Sequence, residues 1–111
     1  MDETTGKIIG AAIEVHKILG PGLLESIYES ALCYEMSQVG LNVKRQVSTN
    51  VRYKDIIIQG QRIDVVVNGE VIVEVKSLVK LPEVSTSQVI SYLHAMKLKR
   101  GLLIKLDKKI D

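Results

Sequence analysis

The chain of 111 residues contains no tryptophan, no phenylalanine, two prolines, four tyrosines and a single cysteine. Without the two largest apolar rings, its core must be assembled from Ile, Leu, Val and Ala with a few Tyr and Met side chains. One thiol, Cys33, excludes an intrachain disulfide and points to a reducing compartment. Cys33 stands among Ala31, Leu32 and Tyr34 in a helical pattern, so it reads as a small buried hydrophobe rather than a reactive group. Met1-Asp2-Glu3 lacks the basic and apolar stretches that open a signal peptide. No run approaches the ~18 apolar residues of a membrane span. A cytoplasmic protein with no membrane partner is therefore expected. Repeats, low-complexity tracts and linkers are absent too, so residues 1–111 are read as a single domain. At this length one core can be buried without disulfides or a structural metal.

Charge of one sign is also missing in bulk. A net charge of +2 is too small to argue for a polyanionic partner. The distribution says more: Lys97, Lys99, Arg100, Lys105, Lys108 and Lys109 place six of the fifteen cations in the last fifteen residues. That is either a phosphate-facing edge or a solvated helix end and tail.

Hydrophobic periodicity divides the chain into seven elements. Residues ~5–19 carry Ile8, Ile9, Ala12, Ile13, His16 and Leu19 at helical spacing, and Gly20-Pro21-Gly22 ends that helix. A second helix is expected from Leu23 to Val39, with Leu24, Ile27, Tyr28, Ala31 and Leu32 on its apolar side and Gly40 as its cap. Strands are expected over ~43–53, ~56–67 and ~70–77, with turns at Lys54-Asp55 and Asn68-Gly69. Pro82 opens a new element, and Val84–Lys99 reads as a helix with Val89, Leu93 and Met96 inward. Gly101 breaks it before a last strand, Leu102 to Leu106. The order is α-α-β-β-β-α-β. A strand that follows a crossover helix can pair in parallel, which predicts an α/β (α+β mixed) fold with a mixed central sheet flanked by helices.

Two of the most apolar runs carry charge. Asp64 lies within Arg62-Ile63-Asp64-Val65-Val66-Val67, and Glu74 and Lys76 lie within Val71-Ile72-Val73-Glu74-Val75-Lys76. Burying such groups is costly unless they are paired, hydrogen-bonded or bound to a cation. Alternation along a strand puts Glu74 and Lys76 on one face. Asp64 joins them only if the connecting loop has odd length. A two-residue Asn68-Gly69 loop pairs Asp64 with Val73, on the wrong face. A three-residue Val67-Asn68-Gly69 loop with a bulge pairs Val66 with Glu70 and restores the shared face.

Two carboxylates ~5 Å apart repel by roughly 3 kcal/mol at an effective dielectric of ~20. Lys76 alone offsets that as an internal ion-pair cluster. Glu25, on the second helix three residues before Tyr28, adds a third acid and favours the alternative, a divalent cation. All-oxygen ligation suits Mg²⁺ or Mn²⁺, with the backbone carbonyl of Val75 as a further donor.

At these residues the chain resembles the PD-(D/E)XK nucleases, whose restriction-endonuclease-like core sets one acid on a strand and an acid-x-Lys triplet on the next. Here those are Asp64 and Glu74-Val75-Lys76. Gln88-Val89-Ile90-Ser91-Tyr92 is similar to the Gln-x-x-x-Tyr motif of RecB-type members, a spacing that sets both side chains on one helix face. Gly22-Leu23-Leu24-Glu25-Ser26-Ile27-Tyr28 matches the motif of the GxxExxY proteins, a small branch of that superfamily. The matches span residues 8 to 106 in order. The familiar proline before the first acid is replaced by Ile63, and Lys105 and Leu106 stand where relatives often carry Asn and an aromatic.

The resemblance implies a Mg²⁺- or Mn²⁺-dependent nuclease acting on DNA in repair or defence. It implies Asp64, Glu74, the Val75 carbonyl and Glu25 as metal ligands or assistants. Lys76 becomes the group that orients water and meets charge on phosphate. Gln88, Tyr92 and Tyr28 become substrate-binding or orienting residues. Tyr28 by itself reads as a core residue whose hydroxyl anchors its helix, and His16 as a satisfied histidine rather than a ligand. The competing reading is a catalytically inactive nuclease-fold module that binds nucleic acid or a protein partner. A homodimer is expected because a core of this size covers little DNA.

Overall fold

The structure, a computed structural model, describes residues 2–76, 84–98 and 100–105. Its elements are α1 (Glu3–Leu19), α2 (Glu25–Gln38), β1 (Val43–Tyr53), β2 (Ile56–Val67), β3 (Val71–Lys76), α3 (Val84–Met96) and β4 (Arg100–Lys105). The expected order is the observed one. Four strands form one sheet in the order β1-β2-β3-β4, antiparallel through β3 and parallel between β3 and β4, which α3 connects. No helix among the described residues is long and apolar enough to cross a membrane.

Helix α1 starts because Asp2 accepts a hydrogen bond from the Thr5 amide at 2.9 Å, satisfying one of the unpaired first-turn donors. That amide, with help from Arg100, holds the Asp2 carboxyl well below the usual carboxylate range. The same carboxylate meets Arg100 at 2.6 Å, and Arg100 reaches on to Glu70 at 2.9 Å. Arg100 therefore ties the start of α1 to the β2–β3 loop and is not a free phosphate contact. Of the other cations of the expected edge, Lys97 lies exposed just past α3 and Lys105 ends β4, while Lys99, Lys108 and Lys109 lie outside the described residues.

Both sheet faces are covered. Ile8, Ala11, Ala12 and Val15 of α1 and Tyr28, Leu32 and Met36 of α2 pack on Val65, Val67, Val71, Val73 and Val75. On the other face Tyr92 of α3 packs on Ile63, Val66 and Ile72. The inward stripes differ from those expected. Ile13 is 56% exposed, Leu24 71% and Ile27 42%, whereas Ala11, Val15, Glu29 and Met36 are buried. Both helices are apolar over a wide arc, so periodicity alone does not choose which stripe meets the strands. Cys33 is buried as expected, and burial pushes its thiol up to about 11.

Helix α3 ends three residues earlier than Lys99. Lys97 takes the left-handed conformation (φ +55°), and the Leu98 amide returns to the Leu93 carbonyl at 2.9 Å. This is a Schellman closure on a non-glycine residue, which residue type did not signal. Gly101, expected to break the helix, lies inside β4 instead. A Cβ there would come 2.6 Å from Val89 Cγ1, so glycine is what lets α3 lie close on β4.

Gly101→Ala is expected to lower stability by about 1–3 kcal/mol, the usual cost of overpacking a close contact. Urea denaturation reads this. Adding Val89→Ala should recover part of the loss, and an additive double variant would contradict the contact.

Candidate active site at the split between β2 and β3

The β2–β3 connection decides the site. Val67 pairs with Val71, Val66 with Ile72 and Val65 with Val73, leaving a three-residue loop of Asn68, Gly69 and Glu70. Its length is odd, but the register differs from the expected pairing of Val66 with Glu70. Asn68 (φ +54°) and Gly69 (φ +64°) form the centre of a tight turn, closed by the Glu70 amide on the Val67 carbonyl at 2.9 Å. Asn68 is further tied to Asn42, accepting from its amide at 2.8 Å and donating its own amide to the Asn42 carbonyl at 2.7 Å. Glu70 is then the extra residue, drawn out toward Arg100. This register sets Asp64 opposite Glu74.

At that position the paired backbone gives way to side chains. The Asp64 amide donates to Glu74 Oε1 at 3.2 Å, and the Val75 amide donates to Asp64 Oδ2 at 3.0 Å. Each carboxylate replaces a backbone acceptor on the facing strand, which is why two acids can sit in runs this apolar. Burial first, and the adjacent Asp64 carboxylate second, push the Glu74 carboxyl up to about 7. The hydrogen bond from the Asp64 amide and the charge of Lys76 oppose the rise. Near neutral pH the Glu74 carboxyl is therefore close to the midpoint of its titration. Glu74 is 4% exposed, while Asp64 and Lys76 are half-buried, so the pair opens to solvent from one side.

The α3 wall comes next. Tyr92 donates its hydroxyl to Gln61 Oε1 at 2.8 Å, and Gln88 Nε2 reaches the same oxygen at 3.3 Å. The i, i+4 pair thus shares one face, as its spacing requires. Burial raises the Tyr92 hydroxyl, with further contributions from Glu74 and Asp64, which places the ring within reach of their field. Gln61 was not foreseen. A bulge aims it: Gly60 and Gln61 of β2 oppose the single residue Thr49 of β1, and Thr49 Oγ1 donates to the Gln61 carbonyl at 2.6 Å. A Cβ on Gly60 would fall 2.7 Å from Thr49 Oγ1, so only glycine permits the approach. A glycine interrupting an apolar strand was the available signal.

Glu25 is not brought to the pair. Among the described residues no three His, Cys, Asp or Glu side chains stand together as a metal-holding group. The acid that α2 buries is Glu29, one turn further on. It accepts from Arg45 Nη2 at 2.8 Å and from Gln46 Nε2 at 3.1 Å. That hydrogen bond holds the Arg45 guanidinium up, and the carboxylate is already neutralised. Gln46, which lies opposite Asp64 in the β1–β2 register, has φ +51° and interrupts the ladder there.

Tyr28 is fully buried, so it cannot touch substrate. Its hydroxyl donates to the Gly20 carbonyl at 2.6 Å and accepts from the Leu23 amide at 3.0 Å. It positions the Gly20–Leu23 turn that leads into α2. His16 lies half-buried on α1.

Two carboxylates and an ammonium at the end of a strand pair, backed by Gln and Tyr from the following helix, form one polar cluster in an aliphatic core. A family model described as the PD-(D/E)XK nuclease superfamily matches residues 2–111. No curated protein and no solved structure gave a match. The match covers nearly the whole chain and contains every residue of the cluster, and the chain belongs to the PD-(D/E)XK nuclease superfamily.

Proposed function

We propose that this protein is a metal-dependent nuclease that hydrolyses phosphodiester bonds of DNA, in repair or in defence against foreign DNA. The carrying observation is the Asp64–Glu74 pair, two neighbouring carboxyls that each accept an amide across the β2–β3 split, with Asp64 half-buried and open to solvent. Members of the superfamily typically use divalent metals. The donor set here fits one: hard oxygens, an excess of negative charge, and a Glu74 carboxyl that burial and Asp64 leave reluctant to ionise without a cation.

Asp64 and Glu74 would hold the ion, Mg²⁺ or Mn²⁺. The Val75 carbonyl would join them, because residues beyond the Val65–Val73 pair are released from the β2–β3 ladder. When bound, such an ion polarises a phosphoryl oxygen and lowers the pKa of a coordinated water. The chain's own residues supply the rest. Lys76, two residues along β3 from Glu74, offers an ammonium to the attacking water or to charge developing on phosphate. Tyr92, Gln61 and Gln88 form a hydrogen-bonded wall that keeps the pair's surroundings fixed. Glu25 stands outside the ligand set and is assigned no direct metal contact. A cytoplasmic location, where Cys33 stays reduced, and a homodimer that lengthens the DNA footprint belong to the same reading.

Cleavage of a plasmid and of labelled oligonucleotides with Mg²⁺ or Mn²⁺ tests this. Glu74→Ala and Lys76→Ala should each lose on the order of 10²–10⁴ in rate, and Glu25→Ala should lose less than either. Equal activity in wild type, Glu74→Ala and Lys76→Ala would overturn the assignment.

Stability gives a reading independent of turnover. The folded Glu74 carboxyl titrates near 7 against an ordinary value of 4.5, so the metal-free fold binds this proton more tightly than the unfolded chain. Its contribution is full below pH 4.5 and is lost as pH rises through 7. Metal-free wild type should therefore lose Tm across that window more steeply than Glu74→Gln. At pH 8, Mn²⁺ should raise the Tm of wild type and leave Glu74→Gln unmoved. Parallel Tm profiles for the two proteins would contradict the shift.

A further inference from the structure

Beyond the bulge at Gly60–Gln61, β1 and β2 leave the sheet as a two-stranded ribbon. Every residue from Asn50 to Gln59 is exposed, and the molecule measures 51 × 30 × 23 Å. The ribbon closes in a two-residue turn at Lys54-Asp55, with Lys54 Nζ 5.4 Å from the Tyr53 ring centre. Cross-strand pairing sorts its side chains into two faces. Val51 with Ile58 and Tyr53 with Ile56 make one; Asn50 with Gln59 and Arg52 with Ile57 make the other. Ile57 is 68% exposed and Tyr53 56%. A ribbon of two strands is marginal alone in water, so this one is built to lie against something.

Its charge identifies the occupant. Residues 43–62 of the β1–β2 hairpin carry Lys44, Arg45, Arg52, Lys54 and Arg62 against the single acid Asp55, five cations to one, of which Arg52 and Lys54 lie on the projecting part with Asp55. The remaining residues hold ten cations against twelve acids. Arg45 is taken up by Glu29, but Lys44, Arg52, Lys54 and Arg62 are exposed and have no carboxylate partner among the described residues. A second copy would bring two such ribbons together with like charges facing. A polyanion is attracted to all four. The ribbon also begins at Gln61, the residue that holds Tyr92 and Gln88 at the acid pair, so whatever it grips is led to the site.

We propose that the β1–β2 ribbon is a docking arm for double-stranded DNA, lying in the major groove beside the segment presented to Asp64 and Glu74. This rests on the nuclease reading above and names the form of its substrate. The major groove of B-form DNA admits a two-stranded ribbon, whereas that of duplex RNA is too deep and narrow. Asn50 and Gln59 present donors to base edges from one face. Ile57 lies beside them, as apolar contact with thymine methyl groups requires. Arg52, Lys54 and Arg62 sit where phosphates flank the groove.

Anisotropy of a short labelled DNA duplex in EDTA, over a salt series, tests the arm without turnover. Arg52→Ala with Lys54→Ala should weaken duplex binding at least tenfold at moderate salt and reduce the slope of log K against log salt by about 2. Lys7→Ala with Lys17→Ala on α1, an equal loss of charge, should change neither. Single-stranded DNA and duplex RNA should compete poorly. Unchanged affinity in the ribbon variant overturns the arm, as does equal competition by single strands. So does a dimer that Val51→Glu with Ile58→Glu dissociates while duplex affinity holds. If wild type binds no polynucleotide, the DNA substrate falls with the arm. If duplex binding behaves as expected but Mg²⁺ supports no cleavage, the arm stands and the nuclease reading falls.

Discussion

The structure turns on two carboxylates placed where backbone should be. At Asp64 and Glu74 the β2–β3 ladder ends, and each acid accepts an amide from the facing strand in place of a carbonyl. The amides are satisfied, but two like charges remain in contact in an aliphatic setting, and only a proton or a cation relieves them. Lys76 offsets part of the charge, and nothing else described on the two strands does. The surrounding fold serves this arrangement. The extra residue Glu70 in the hairpin sets the register, Gln46 with its positive φ interrupts the ladder opposite Asp64, and the Gly60–Gln61 bulge turns Gln61 toward Tyr92. Three departures from regular pairing lie within a few residues of the acid pair, as is common where a sheet carries a site.

Much of this was legible in the sequence. Charged residues in valine-rich strands marked Asp64 and Glu74, and face alternation required an odd-length loop between them. The helix spacing of Gln88 and Tyr92 placed both on one face. What escaped was whatever depends on long-range pairing. Which residue of the hairpin becomes the bulge is settled by Asn68 locking to Asn42 and Glu70 reaching Arg100, contacts between distant segments. The only local mark beside Gln61 is Gly60, because its aim comes from Thr49 across the strand pair. The choice of Glu29 over Glu25 as the buried acid follows from which stripe of α2 meets the sheet, and helical periodicity alone does not choose that stripe. Lys97, rather than a glycine, ends α3 because the Leu98–Leu93 closure compensates for its left-handed backbone.

Polar character is divided across the molecule by task. Among the described residues Glu29 is neutralised by Arg45, and Asp2 and Glu70 by Arg100, while Asp64 and Glu74 are gathered at the proposed metal position. Among the described residues, Lys44, Arg52, Lys54 and Arg62 of the β1–β2 hairpin have no carboxylate partner. A small chain with a net charge of only +2 can thus attract a polyanion at one end and keep an anionic site beside it. The bulge joins the two, because Gly60, Gln61 and Thr49 both aim Gln61 at Tyr92 and Gln88 and mark where the ribbon leaves the sheet.

The most direct measurement is a crystal of this protein soaked in Mn²⁺ and recorded for anomalous scattering. A single peak bonded to one oxygen each of Asp64 and Glu74, with the Val75 carbonyl facing it, is the predicted result. The account would be contradicted by an empty split between β2 and β3 with the two carboxyls still in contact, at Mn²⁺ levels that support cleavage.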